Sequence, residues 1–125
     1  IGDDTFTLTC LHPTAEYRAK DKNAASLALA YHSDTFDMLF TGDMDADAVA
    51  DMDIQQDYDC IKLPHHGSKY SYVEGAYAHA DYGLISCGYN NRYGHPHTEV
   101  LQGLAQEGTK VLRTDEMGAV VFRGR

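Results

Sequence analysis

Three side chains that can bind a metal ion fall just beyond the ends of predicted strands. Asp43 follows the strand-like run Phe36–Phe40 after a glycine, and His65 and His66 follow another such run one strand–helix–strand unit further along. Ligands of layered α/β folds collect at strand ends, where neighbouring strands would bring these side chains together. A carboxylate can bridge two divalent cations and a neutral imidazole binds one, so the set suits zinc, manganese or iron. Such a site can generate hydroxide from water near neutral pH.

Each of these motifs also has an ordinary structural interpretation. A Gly–Asp pair after a strand is a common turn, and Asp43 would then cap a helix that begins at Met44. Two adjacent histidines before a glycine can be plain loop residues, and His95-Pro96-His97 can be a turn followed by a helix start. Taken singly, the motifs leave structural and binding roles open.

Composition disfavours other classes of protein. The 125 residues carry a formal net charge of -9, which opposes non-specific binding to polyanions because such binding needs cationic side chains. No apolar run approaches the roughly 20 residues of a membrane helix. The three cysteines, Cys10, Cys60 and Cys87, are too few for a disulfide framework, and we expect them to be buried and reduced. Ser68 lies near His66, but the partners of a serine triad cannot be assembled around it.

The elements that would position these side chains follow from the spacing of apolar residues. Strands are predicted at Thr5–Leu11, Ser26–Tyr31, Phe36–Phe40, Cys60–Leu63, Tyr82–Ser86, Lys110–Leu112 and Ala119–Phe122. Helices are predicted at Met44–Gln56, Tyr72–His79 and His97–Glu107, with a turn at Thr114–Gly118. The alternation of strands and helices indicates a single α/β domain over residues 1–125, with an antiparallel edge.

Five motifs occur together in an order that is hard to obtain by chance. They are Leu39–Asp43, Leu63–Lys69, Ile85–Gly88, Asn90–His97 and Arg113–Asp115. In this order and spacing they resemble the metallo-β-lactamase-like domain of ComEC-type competence proteins, from about Asn23 to Val121. The resemblance implies half of a metallo-β-lactamase αββα sandwich, in which a mixed sheet carries helices on one face.

The resemblance also implies metal ligands. Asp43 matches the aspartate that bridges two metal ions, and the pair of His65 and His66 contains the last histidine ligand. His66 is favoured because the ligand commonly directly precedes a small residue in this loop. Asn23 falls near the position of another histidine ligand in many relatives, and an amide there would weaken or alter one metal site.

The resemblance implies metal-assisted hydrolysis of a phosphodiester such as single-stranded DNA during competence-related uptake, with two zinc or manganese ions. Asp43, His66 and His95 would be the catalytic residues, His95 by contacting phosphate or protonating the leaving oxygen. The substrate would meet a set of loop side chains. These are Ser68, Lys69, Asn91, Tyr93 and His95.

The His-x-His-x-Asp-His motif with which relatives begin does not occur in this sequence. We therefore expect the chain to be the C-terminal portion of its domain, to bind metal weakly and to be inactive alone. Its partner would be the missing N-terminal half, and the exposed interface would allow self-association. In a ComEC-type parent, the domain would be attached to a bacterial inner-membrane channel and lie outside the cytoplasm.

Two other functions remain open from the sequence. One is a free-standing metallo-esterase that acts on small phosphoesters or lactones. The other is a non-catalytic module that has a structural or DNA-guiding role, which Asn23 favours slightly.

Overall fold

The computed structural model describes residues 6–12, 27–88, 94–118 and 120–122, and these build a six-stranded sheet with helices. The strands are β1 (Phe6–His12), β2 (Ala28–Ser33), β3 (Asp37–Phe40), β4 (Tyr58–Lys62), β5 (Ala80–Ile85) and β6 (Lys110–Arg113). The helices are α1 (Ala46–Met52), α2 (Thr98–Glu107) and α3 (Thr114–Met117), with short 3-10 turns at Pro64–Gly67 and Lys69–Ser71. The strands lie side by side in chain order, antiparallel from β1 to β3 and parallel from β3 to β6. The predicted α/β class with a mixed sheet is confirmed.

The hydrophobic core lies on one face of the sheet. Ala30, Leu39 and Ile61 are paired in register across β2, β3 and β4, and all three are fully buried. Val49 of α1 and Leu104 of α2 belong to the same cluster. Burial of a Val, Leu or Ile side chain contributes roughly 1.5 to 3 kcal/mol, so these contacts fix the two longer helices on this face.

The opposite face of the sheet carries large apolar side chains that lie outside that cluster. Tyr31 pairs with Met38, and Phe6 stacks on Tyr31 with ring centroids 5.6 Å apart. Met38 is buried, whereas Phe40 is 40% exposed and Leu84 is half-buried. The described residues therefore cover this face only in part.

Helix α1 is shorter than predicted because a residue inside the predicted range caps it. The Asp45 carboxylate accepts a hydrogen bond from the Ala48 backbone N–H at 2.9 Å. Asp53 then ends the helix in the left-handed region, with φ of 50°. The predicted range Met44–Gln56 thus shrinks to Ala46–Met52.

The predicted helix Tyr72–His79 is wrong, because residues 74–79 form turns. The Glu107 carboxylate, at the end of α2, accepts hydrogen bonds from the Tyr72 hydroxyl at 2.9 Å and from the Gly75 backbone N–H. Tyr77 is fully buried in the core. This segment is therefore shaped by contacts with α2 rather than by its own helical spacing.

The chain end and the cysteines also differ from prediction. Residues 120–122 form no strand, and Phe122 packs instead against Phe36 with ring centroids 5.2 Å apart. The predicted turn at 114–118 contains the four-residue helix α3. All three cysteines are free, Cys60 is buried and Cys87 half-buried, but Cys10 is exposed. No helix in the described ranges is both long and apolar enough for a bilayer span.

Candidate functional site

The sequence-predicted ligands lie at the carboxyl ends of β3 and β4, as the strand order requires. Asp43 follows β3 after Gly42, whose φ is 56°. His65 and His66 follow β4 directly after Pro64, which is buried. Because β3 and β4 are parallel neighbours, both loops emerge at the same edge of the sheet, which we call the carboxyl edge.

Backbone and hydroxyl hydrogen bonds join these two loops. The His65 backbone N–H donates to the Gly42 carbonyl at 2.9 Å. The buried Thr41 hydroxyl donates to the carbonyl of Lys62, the last residue of β4. The loop that carries Asp43 and the loop that carries the histidines are therefore joined by hydrogen bonds that do not involve the side chains of Asp43, His65 or His66.

The histidine loop is a left-handed turn of three residues. His65, His66 and Gly67 have φ values of 48°, 57° and 80°. A left-handed backbone costs a non-glycine residue roughly 1 to 2 kcal/mol, so the two histidines occupy strained positions. The Ser68 backbone N–H closes the turn on the His65 carbonyl at 3.0 Å.

The orientation of the His66 ring distinguishes it from its neighbour. Its Nδ1 donates a hydrogen bond to the Ser86 backbone carbonyl at 2.7 Å, and its Nε2 lies 4.0 Å from Asp43 Oδ1. Because a carbonyl only accepts, a neutral His66 ring carries its proton on Nδ1 and has a lone pair on Nε2. A backbone carbonyl behind the second nitrogen is the usual partner of a metal-binding histidine.

Asp43 and His66 fit two positions of a transition-metal shell. Zinc with bonds of about 2.1 Å holds tetrahedral ligand atoms about 3.4 Å apart, which a small rotation of these half-exposed side chains would reach. Within the described ranges, no group of three or more His, Cys, Asp or Glu side chains is arranged to hold a metal ion. The described residues thus present a partial donor set.

His95 completes a cluster of imidazole rings at the carboxyl edge. Its ring centroid lies 5.6 Å from that of His65, 6.1 Å from that of His66 and 5.0 Å from that of His97. Burial lowers the pKa of His95 below its ordinary value, and the three neighbouring rings lower it further. A lowered pKa disfavours the protonated form of this ring.

The loop after the histidines is held by one of its own hydroxyl groups and by contacts with residues at the start of α2. Ser68 is buried, and its hydroxyl accepts from the Tyr70 backbone N–H at 3.2 Å. The Lys69 ammonium lies 3.6 Å from the Glu99 carboxylate. The Lys69 backbone N–H donates to Nδ1 of His97 at 2.9 Å. Asn23, Asn91 and Tyr93, also singled out from the sequence, lie outside the described residues.

Two residues at this edge were not assigned a role from the sequence. His97 was interpreted only as a possible helix start, yet its ring joins the two histidine-containing loops. Lys62 ends β4, and burial lowers the pKa of its ammonium while the Asp43 carboxylate opposes that shift. The spacing of His97 from His95 could have indicated that both lie at the carboxyl edge, whereas no local sequence pattern indicates this for Lys62.

The alternative in which Asp43 caps a helix is excluded, because Asp45 occupies the cap. We expect Asp45→Ala to lower the free energy of unfolding by about 1 kcal/mol through loss of the bond to the Ala48 N–H. The matched change Asp43→Ala should alter it by less than about 0.5 kcal/mol. Urea unfolding followed by circular dichroism measures both, and equal losses would refute the assignment.

Comparison with known proteins places the chain beside two longer relatives. No protein-family model matches it. "ComE operon protein 3" of Bacillus subtilis (strain 168) is 36% identical over 107 residues, which are 82% of this chain and 14% of that protein. "Competence protein ComA" of Neisseria gonorrhoeae is 32% identical over 115 residues, which are 86% of this chain and 16% of that protein. The chain therefore spans a small part of the length of each.

Proposed function

Because both relatives indicate a competence-protein family, we propose that the chain is the second half of a metal-dependent phosphodiesterase domain that acts on DNA during competence. The observation that carries this proposal is the arrangement of His66. Its Nε2 lone pair faces the Asp43 carboxylate at 4.0 Å while Nδ1 is anchored on the Ser86 carbonyl. Together they offer an imidazole nitrogen and a carboxylate oxygen to one cation.

Five residues at the carboxyl edge have roles in this proposal. Asp43 and His66 would hold the metal. Two zinc or manganese ions, when bound, would supply Lewis acidity toward the phosphate. His95 donates a hydrogen bond to a phosphate oxygen, and Ser68 and Lys69 keep the histidine loop in place through the bonds described above.

The distribution of charge is compatible with a polyanionic substrate despite the net charge of -9. Four carboxylates lie around the amino ends of the parallel strands, at the opposite edge of the sheet from the histidines. They are Asp37, Asp57, Asp59 and Asp81. Two of them pair with histidines, Asp37 with His32 and Asp57 with His79, each at 2.9 Å. The substrate would therefore meet imidazoles and metal rather than this acidic edge.

The partly covered sheet face supports the proposal that another part of the parent packs on this chain. Phe40 is 40% exposed there, and Leu84 and Leu112 are half-buried. The first half of the domain would bury these side chains and bring the remaining metal ligands. Alone, the chain would self-associate through the same face, which sedimentation velocity over a range of concentrations would detect.

A hydrolysis assay tests the proposed function directly. We expect the full-length parent to cleave single-stranded DNA with Mn²⁺ or Zn²⁺, and Asp43→Ala to reduce the rate by at least about 100-fold because it removes the bridging carboxylate. Phosphocholine esters and lactones serve as competing substrates. Faster cleavage of either than of DNA would replace the nuclease by a metallo-esterase. No cleavage by the wild type, or equal cleavage by Asp43→Ala, would defeat the proposal.

A further inference from the structure

Thr114, the first residue of α3, hydrogen-bonds to the backbone of Cys87, the residue after the one whose carbonyl binds the His66 ring. Its hydroxyl accepts a hydrogen bond from the Cys87 backbone N–H at 2.9 Å and donates one to the Cys87 carbonyl at 3.1 Å. One side chain thus satisfies both the backbone N–H and the backbone carbonyl of Cys87. This contact is a clamp on the segment that follows β5.

The clamp lies where strand pairing can no longer position that segment. The ladder between β5 and β6 ends with the pair Ile85 and Arg113. Ser86, the next residue, supplies the carbonyl that accepts the His66 Nδ1 proton at 2.7 Å. The Ser86 carbonyl and the Cys87 N–H belong to one peptide group, so the Thr114 hydroxyl that accepts from this N–H holds the same peptide group that orients His66.

An ion pair holds α3 itself against the end of β6. Arg113 Nε donates to Asp115 Oδ1 at 3.0 Å, and Nη2 donates to Oδ2 at 2.8 Å. The two side chains are only 24% and 11% exposed, and bidentate pairs of this kind define geometry well. The Gly118 N–H closes the helix on the Thr114 carbonyl at 2.8 Å. The Thr114 hydroxyl is therefore presented from a firmly held turn.

We propose that Thr114 is a positioning residue for His66. By fixing Cys87, it keeps the Ser86 carbonyl on Nδ1 of the ring and so keeps the Nε2 lone pair directed at Asp43. This inference rests on the ligand role proposed above for His66. It predicts that removal of the Thr114 hydroxyl disturbs the His66 ring, although Thr114 belongs to α3 and His66 to the histidine loop.

The test compares hydroxyl-deleting and hydroxyl-keeping variants by ¹⁵N NMR of the histidine rings at a pH where they are neutral. In the wild type and in Thr114→Ser, the His66 ring should carry its proton on Nδ1. In Thr114→Val, the Nδ1 proton should exchange with solvent about tenfold faster, the factor that corresponds to roughly 1.4 kcal/mol for a lost hydrogen bond. A backbone ¹H–¹⁵N spectrum of each variant reports whether it remains folded.

Thr109→Val is the matched control for a merely structural effect. Thr109 is a buried threonine before β6 whose hydroxyl donates to the Tyr77 carbonyl at 2.9 Å. Its loss should lower stability and leave the His66 ring signals unchanged. Equal disturbance by Thr109→Val, or unchanged His66 signals in a folded Thr114→Val, would overturn the inference.

Two further outcomes keep the inference independent of folding and of activity. Should Thr114→Val fail to fold, the position of the His66 ring proton in the wild type provides the test, because a proton on Nε2 overturns the inference. The NMR measurement requires no hydrolysis. An inactive wild type therefore counts against the proposed function, whereas the ring signals alone judge the role of Thr114.

Discussion

Replacement of His66 by asparagine will reduce the proposed metal-dependent phosphodiester hydrolysis by the parent protein at least about 100-fold, because it removes the nitrogen proposed to hold the metal. The same replacement of His65 will leave most of the activity. Both residues have positive φ, at 57° and 48°, and asparagine tolerates that conformation better than most residues. The two variants therefore carry similar backbone strain, and the difference between them reports the imidazole.

Initial rates at saturating Mn²⁺ measure this difference, and urea unfolding of both variants checks that stability changes equally. A larger loss of rate in the His65 variant would show that His65, and not His66, is the ligand. Equal small losses would remove the pair from the metal site. The expectation follows from the bond between His66 Nδ1 and Ser86, which directs Nε2 toward Asp43.

Replacement of Gly67 by alanine should lower the free energy of unfolding by about 3 kcal/mol, since left-handed strain and overpacking add. The residue has φ of 80°, and an added Cβ would lie 2.8 Å from Pro96 Cβ and 3.3 Å from Ile85 Cγ2. Pro96 lies between two histidines of the cluster, and the His97 N–H donates to the Gly67 carbonyl at 3.1 Å. The substitution should therefore displace His95 as well as destabilise the fold.

Gly75→Ala is the matched control, because Gly75 has φ of 81° and an added Cβ would meet nothing within 4 Å. It should cost only the roughly 1 to 2 kcal/mol of backbone strain. Denaturant unfolding of both variants gives the two values. Losses of the same size would mean that the loop accommodates the Cβ without displacing Pro96.

The parallel strands that carry the site were predictable from the sequence. The expected runs Phe36–Phe40, Cys60–Leu63 and Tyr82–Ser86 overlap the observed β3, β4 and β5, because their apolar side chains fill the sheet on one or both faces. Their order then brings Asp43 and the histidine pair to one edge. Position along the strands was therefore enough to predict which loops meet.

What sequence reasoning missed depends on contacts between distant residues. Asp43 and Asp45 are equally good helix caps by residue type, and only the course of the chain selects Asp45. The segment after Tyr72 has helical spacing, but Glu107 holds it in turns from across the sequence. The resemblance already favoured His66 over His65, and the bond from its Nδ1 to the Ser86 carbonyl, which no local pattern records, supports that proposal.

The left-handed histidine turn combines backbone strain at two residues with the metal-binding role proposed for one of them, His66. His65 and His66 together bear roughly 2 to 4 kcal/mol of backbone strain that glycine would not bear. A library of variants sorted for thermal resistance alone would therefore enrich glycine at both positions and discard the imidazoles. The core beneath the helices must compensate for this strain, so variants that weaken the core should lose the geometry of this turn early in unfolding.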